Sequence, residues 1–185
     1  MSDVSTTVPN YRWSVDNFLR AWDAGAFDGR VELIEGEIWP VVIGDWHGET
    51  VFRLGRLLPT TGVRITGSTL PSGSSLPDPD CWVRREEAIP LGQLGRRPSQ
   101  WSSTDVLLVA EVSDDTVLAD LNVKARLYGG AGYPAYWVVT EEVVYAHTAP
   151  RADGYDRRQE FRRGTRIPVP YAETDILVDD LLGPL

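Results

Sequence analysis

The chain reads as an α/β domain, a mixed β-sheet with helices on both faces. Three observations predict it. Helical and strand-like segments follow one another as helix, strands, helix, strands, helix, strands. VLLVAEV, from Val106 to Val112, is an unbroken apolar run with a carboxylate near its end, the pattern of a central strand covered on both sides. Finally, no shift in composition across the 185 residues marks a second core, and that length suffices for one sizeable core.

The elements follow in order. Ser14 can cap a first helix through about Ala24, with Phe18, Leu19 and Trp22 on its apolar side. VELIEGEIWPVV reads as two strands joined at Glu35-Gly36, the first alternating cleanly. A second helix is expected from about Asp45 to Leu58, stopped by Pro59. VRIT is a short strand, and a Pro/Gly/Ser loop leads from it into a strand at about Asp80 to Arg84. The stretch from Glu86 to Thr104 has no period and reads as a long excursion. After the central strand a third helix is expected from about Asp114 to Tyr128, ended by Gly129, Gly130 and Gly132. AYWVVT is another buried strand and EVVYAHT its antiparallel neighbour, before two weaker strands and a short apolar VDDLLG end.

Within this frame one residue type is conspicuous. Lys124 is the only lysine; every other basic side chain is arginine. Lysine offers a compact ammonium whose pKa moves on burial, whereas guanidinium stays charged and planar. Val117, Leu121, Lys124 and Tyr128 fall at steps of four, three and four, so Lys124 interrupts an apolar stripe. Either the lysine snorkels to water or it serves a site.

Glu111 is the second unusual position. A carboxylate on a buried strand must be paired, hydrogen-bonded, protonated or bound to a cation. Asp80 opens a neighbouring strand after Pro79, although Asp78 also follows a proline and local pattern does not separate the two. Two carboxylates from adjacent strand ends make the hard oxygen environment that Mg²⁺ prefers. Such an ion polarises a phosphoryl group, and a nearby ammonium can orient water and offset developing charge. Asp, Glu and Lys together describe metal-dependent phosphodiester hydrolysis. The plainer alternative is a buried Glu111–Lys124 ion pair, with Asp80 shaping the strand entry. Asp120, four residues before Lys124, could hold or aim the lysine.

The stretch AEVSDDTVLADLNVKARLYGGAGYPAYWVV closely resembles the Uma-type restriction endonuclease family, within the PD-(D/E)XK nuclease superfamily. VELIEGEI resembles that family's arginine-aromatic-Glu-Leu-Ile-Asp-Gly-Glu hairpin, His47 starts the expected helix, and PDPDCWVRR resembles its Pro-Asp strand. The resemblance runs from about Tyr11 to the C-terminus. It implies a restriction-endonuclease-like domain over 11–185 behind a flexible 1–10 segment. It also implies Asp80 and Glu111 as metal ligands, with Lys124 in the role of the motif lysine. The usual lysine two residues after Glu111 is absent, since Ser113 stands there. Glu32 corresponds to the hairpin glutamate, an accessory metal or water ligand. Val31 replaces a common aromatic, Glu35 an Asp and Cys81 an aliphatic, and none of these removes a charged site residue. The implied activity is DNA hydrolysis with Mg²⁺, for which Mn²⁺ can substitute. A homodimer is expected, because cutting both strands of a duplex needs two sites. The rival is a catalytically silent nuclease-fold protein that binds nucleic acid or another protein.

Composition narrows the field. With Cys81 the single cysteine, neither an internal disulfide nor a cysteine-based zinc site can form. His47 and His147 are the only histidines, which argues against a His-rich metal site, and His47 is read as a helix-start or packing residue in preference to a general base. No apolar run approaches the roughly 20 residues of a membrane span. The N-terminus lacks a secretory pattern, so a cytoplasmic location is expected. A net charge of −9 counts against strong nonspecific binding to nucleic acid. The arginines between Arg151 and Arg166 are interleaved with acids and read as a solvated pair of strands, with a local nucleic-acid patch as the alternative. Walker, nucleophile-elbow and dinucleotide motifs are absent.

Overall fold

The computed structural model describes residues 11–96 and 98–184; the 1–10 segment expected to be flexible lies outside them. Its elements are α1 (Val15–Asp23), β1 (Val31–Ile34), β2 (Glu37–Pro40), α2 (Asp45–Leu57), β3 (Val63–Thr66), β4 (Cys81–Arg85), β5 (Gly92–Gln93), β6 (Ser99–Gln100) and β7 (Val106–Val112). Beyond β7 come α3 (Val117–Ala119), a π-helical turn (Asp120–Lys124), α4 (Ala125–Gly130), β8 (Ala135–Val139), β9 (Val143–Arg151), β10 (Gly154–Arg162), β11 (Arg166–Pro168), β12 (Asp175–Leu177) and α5 (Val178–Leu182).

Six strands form the central sheet in the order β10-β9-β8-β7-β4-β3. β7 and β8 run parallel, joined by the helical crossover, and the other neighbours are antiparallel. The sheet is mixed, as expected. Alternation along β7 sends Ala110 and Val112 into one core with Leu54 of α2 and Leu181 and Leu182 of α5. Val109 joins the other core, where Ala125 and Tyr128 of α4 pack with Trp82, Tyr136 and Val138.

Local chemistry explains the boundaries. Ser14 Oγ accepts the Asn17 N–H at 3.2 Å and caps α1, whose Phe18 and Leu19 are buried. Leu58 turns extended before Pro59 and ends α2. Glu35 and Gly36 both take positive φ, 49° and 84°, as a two-residue hairpin turn requires. The β1–β2 hairpin stands outside the central sheet, as a two-stranded sheet of its own. Leu33 and Leu76 exchange backbone hydrogen bonds of 3.2 and 2.7 Å that tie it to the loop before β4.

Four expectations need correction. β1 does not alternate in burial: Glu32, Leu33 and Ile34 are all buried, because α1 covers one side and the crossover helix the other. The excursion after Glu86 holds a small β5–β6 hairpin. The tail carries more strand than expected, since β10 is a nine-residue edge strand with an exposed, charge-mixed surface. The third helix is irregular, and it runs on through Gly129 and Gly130. Its π-turn widens the step per turn, so the buried positions become Asp120, Lys124 and Tyr128. Val117 and Leu121 are only half-buried.

Candidate active site

Asp80 immediately precedes β4. The register pairs Cys81 with Ala110, so one step further Asp80 lies across from Glu111. Asp80 Oδ2 accepts the Val112 N–H at 2.8 Å. Strand N–H groups point along the sheet, so this bond holds the carboxylate in the sheet's plane, at its rim. Asp80 Oδ1 meets His47 Nε2 at 2.8 Å. Gly67 lets the end of β3 pass here, because a Cβ would lie 2.7 Å from the Asp80 carbonyl oxygen.

Glu111 projects toward the crossover helix. Its Oε1 accepts Lys124 Nζ at 3.0 Å and the Tyr128 hydroxyl at 2.7 Å. Lys124 Nζ also lies 3.0 Å from Glu32 Oε1 and 3.6 Å from Asp120 Oδ1. One ammonium is thus shared by three carboxylates, all four side chains at most 9% exposed. Burial by itself would lower the Lys124 pKa, but Glu111, Glu32 and Asp120 outweigh it and hold the ammonium charged. Burial raises Glu111 to about 8. Lys124 opposes the rise, and Asp80, Asp120 and Glu32 reinforce it. Negative charge exceeds positive charge in this cluster.

Supporting bonds fix the geometry. Ser113, standing where the motif lysine is usual, donates through Oγ to Asp120 Oδ2 at 2.7 Å, and Thr116 Oγ1 does the same at 2.7 Å. Within the π-turn the Ala125 N–H reaches the Asp120 carbonyl, which also accepts the Tyr136 hydroxyl at 3.2 Å. That second donor helps satisfy a carbonyl whose ordinary helical partner is displaced. Glu32 Oε2 accepts the Asp78 N–H at 3.1 Å, and Arg126 binds both carboxylate oxygens of Glu35, at 2.8 and 2.9 Å. Hairpin, rim and helix are therefore linked at several points.

The structure brings Glu32, Glu111 and Lys124 into direct contact and sets Asp80 beside them, across from Glu111. Asp78 instead pairs with Arg30 at 2.6 Å. Asp120 joins through both its neighbours and the lysine. His47 is the residue that sequence reasoning undervalued: it is buried, but against Asp80 and not merely as packing. No spacing signal links His47 to Asp80, which lie 33 residues apart.

The resemblance read from the sequence implies a divalent metal, and the donors fit one. Among the described residues the contacts of Glu111 fall on Oε1, leaving Oε2 as a donor, and Asp80 is held at the rim. The excess negative charge is what a cation would relieve. No group of three or more His, Cys, Asp or Glu side chains is preshaped for an ion among the described residues. That is compatible with Mg²⁺, which takes one or two carboxylates and completes its shell with water and phosphate oxygens. A cavity of about 310 Å³, lined by Arg30, His47, Gly67 and Asp80 among others, opens beside the rim.

The mixed sheet, the helical crossover and acidic groups at one sheet rim define a nuclease-type fold of the restriction-endonuclease class. The crystal structure of "a putative nuclease belonging to DUF820" from Anabaena variabilis ATCC 29413 is similar in fold, with TM-score 0.63 and 18% identity over 92% of this chain and 97% of that one. Residues 17–176 match the model of the Uma2 family, described as "Putative restriction endonuclease", and the chain belongs to that family. No curated protein matches it. No helix among the described residues is long and apolar enough to cross a membrane.

Proposed function

We propose that this protein is a Mg²⁺-dependent endonuclease that hydrolyses DNA phosphodiester bonds. The observation that carries the reading is the buried ammonium of Lys124 amid Glu32, Glu111 and Asp120, beside a rim carboxylate with an adjoining cavity. Asp80 and Glu111 would hold Mg²⁺, or Mn²⁺ in its place. When bound, the ion supplies charge stabilisation at the phosphoryl oxygens and a nucleophile at neutral pH. Lys124 orients the attacking water and offsets charge that develops on the phosphate. Glu32 and Asp120 keep that ammonium protonated and aimed, and Glu32 borders the water's position. His47 fixes the orientation of Asp80. A two-fold dimer would present two such sites to the two strands of a duplex.

The test is calorimetric titration with Mg²⁺ beside cleavage of single-stranded, duplex and branched DNA. Asp80→Ala and Glu111→Ala are expected to lose metal binding and cleavage together. Metal binding with no cleavage of any nucleic acid by the unmodified protein would favour the silent binding protein. Light scattering at high micromolar concentration checks the dimer; a monomer mass would refute it.

A further inference from the structure

On the far side of the Arg30–Asp78 pair lies a second cavity, of about 490 Å³, whose lining includes none of Glu32, Asp80, Glu111 and Lys124. Arg30 lines the cavity beside Asp80, and its partner Asp78 lines this one, so the 2.6 Å ion pair joins the two walls. The second cavity is polar and aromatic in a particular way. Trp101, half-buried, lies with its ring centre 6.0 Å from that of the buried Trp82, and the Arg84 guanidinium sits 4.1 Å from the centre of the Trp101 ring. Trp82 is held by its indole N–H, which donates to the Ser68 carbonyl at 2.9 Å. Arg64 adds a second guanidinium, paired at 2.9 Å with Glu86 through exposed atoms, a partner easily exchanged for another anion.

We infer that this cavity receives an unpaired nucleotide of single-stranded DNA, next to the phosphodiester that is cut. Aromatic rings and guanidinium planes are surfaces on which bases stack irrespective of sequence. A base can use them only when its own faces are free, which excludes one stacked inside a duplex. The volume falls in the range of pockets that enclose small ligands, roughly 300–1,000 Å³. Two arginines beside the stack supply phosphate contacts in a chain whose net charge of −9 otherwise repels nucleic acid. The inference rests on the nuclease reading for its occupant, and it restricts the substrate to DNA with unpaired nucleotides beside the scissile bond.

Fluorescence anisotropy with labelled oligothymidylate, a duplex of equal length and oligouridylate, all in EDTA, measures binding without cleavage. Oligothymidylate is expected to bind tightest. Trp101→Ala should weaken it roughly tenfold, the loss of one base–aromatic stack, and Trp101→Phe should recover most of that. Arg84→Ala should weaken it as well, which guards against a Trp101→Ala protein that fails to fold; circular dichroism checks both. Unchanged single-strand affinity in both folded variants, or a preference for duplex, would overturn the inference, and tighter binding of oligouridylate would overturn the choice of DNA. Parallel cleavage with Mg²⁺ separates the two readings. Trp101-dependent binding without cleavage removes the nuclease and keeps the pocket, whereas cleavage indifferent to Trp101 and Arg84 removes the pocket alone.

Discussion

The two faces of the central sheet are built from the same strands and packed by opposite rules. Toward α2 and α5, β7 presents Ala110 and Val112 to a core of aliphatic side chains with Trp137. Toward the crossover helix the same strand presents Val109 and Glu111, and the surroundings hold Lys124, Tyr128 and Tyr136, with His147 beyond. The first face needs only volume and apolarity. On the second, each buried polar group requires a partner at a set distance, since an unmatched charge there costs several kcal/mol. Stability on the apolar side should therefore be insensitive to pH, and on the polar side it should not.

The largest expected effect tests that contrast directly. Lys124→Met should abolish cleavage while the protein stays folded, and Lys124→Arg should not restore it, because a planar guanidinium cannot occupy the ammonium's position among three carboxylates. Removing one partner of a buried pair costs about 3–5 kcal/mol. Burial already raises Glu111 to about 8, and a carboxyl freed from Lys124 can take up a proton instead. Denaturant melts should thus show a smaller loss for Lys124→Met at pH 6 than at pH 9. Leu54→Ala, on the apolar face, should cost about 2–5 kcal/mol by the same amount at both. Full activity in a folded Lys124→Arg protein would refute the role given to the lysine.

A second effect probes the polar face at a titratable group outside the carboxylate cluster. His147 is buried against Tyr136 and Tyr155, with Nδ1 lacking a partner among the described residues. Burial lowers its pKa from 6.5 to about 4, helped by Arg158 and opposed by a backbone hydrogen bond with Tyr136. The unfolded chain therefore binds a proton between those values that the folded chain does not. The stability this neutral imidazole contributes is complete above pH 6.5 and disappears as the pH falls through that window toward 4. Comparison of wild type with His147→Phe across pH 4–8 checks it. The variant should lose part of the acid-side slope, and superimposable slopes would exclude His147 as its source.

Legibility in the sequence divided along the same line. The apolar face was open to reading, because unbroken apolar runs such as VLLVAEV and AYWVV state their burial directly. On the polar face composition exposed Lys124, the lone lysine, and Glu111, the carboxylate within an apolar run. Helical spacing misjudged their setting, since it presumes a regular helix and the π-turn at Asp120–Lys124 shifts the phase. Asp120 thus emerges as a buried member of the cluster while Leu121 does not. The link between His47 and Asp80 was illegible for another reason. It is a contact between α2 and the sheet rim, made by tertiary packing with no local period to announce it. The Trp82–Trp101–Arg84 stack was hidden likewise, Trp101 lying at the end of a stretch without regular spacing.

The smallest effect concerns what lies just outside the polar face. Arg126 grips both oxygens of Glu35, tying the turn of the hairpin that carries Glu32 to the helix that carries Lys124. Both side chains are about half exposed, at 49% and 46%. Exposed pairs contribute about 0–1 kcal/mol and weaken with salt. The hairpin has other anchors: the two Leu33–Leu76 backbone bonds and the Ser75 hydroxyl accepting the Glu35 N–H at 2.9 Å. Glu32 should therefore keep its place when the latch is cut. Arg126→Gln is expected to lower stability by less than about 1 kcal/mol, with the difference vanishing in molar salt. Cleavage should fall by less than roughly threefold, since the buried contact of Lys124 with Glu32 is untouched. A tenfold loss of cleavage at unchanged Mg²⁺ affinity would mean that the hairpin is positioned from its exposed turn and not from its buried glutamate, so that the polar face extends outward to that turn.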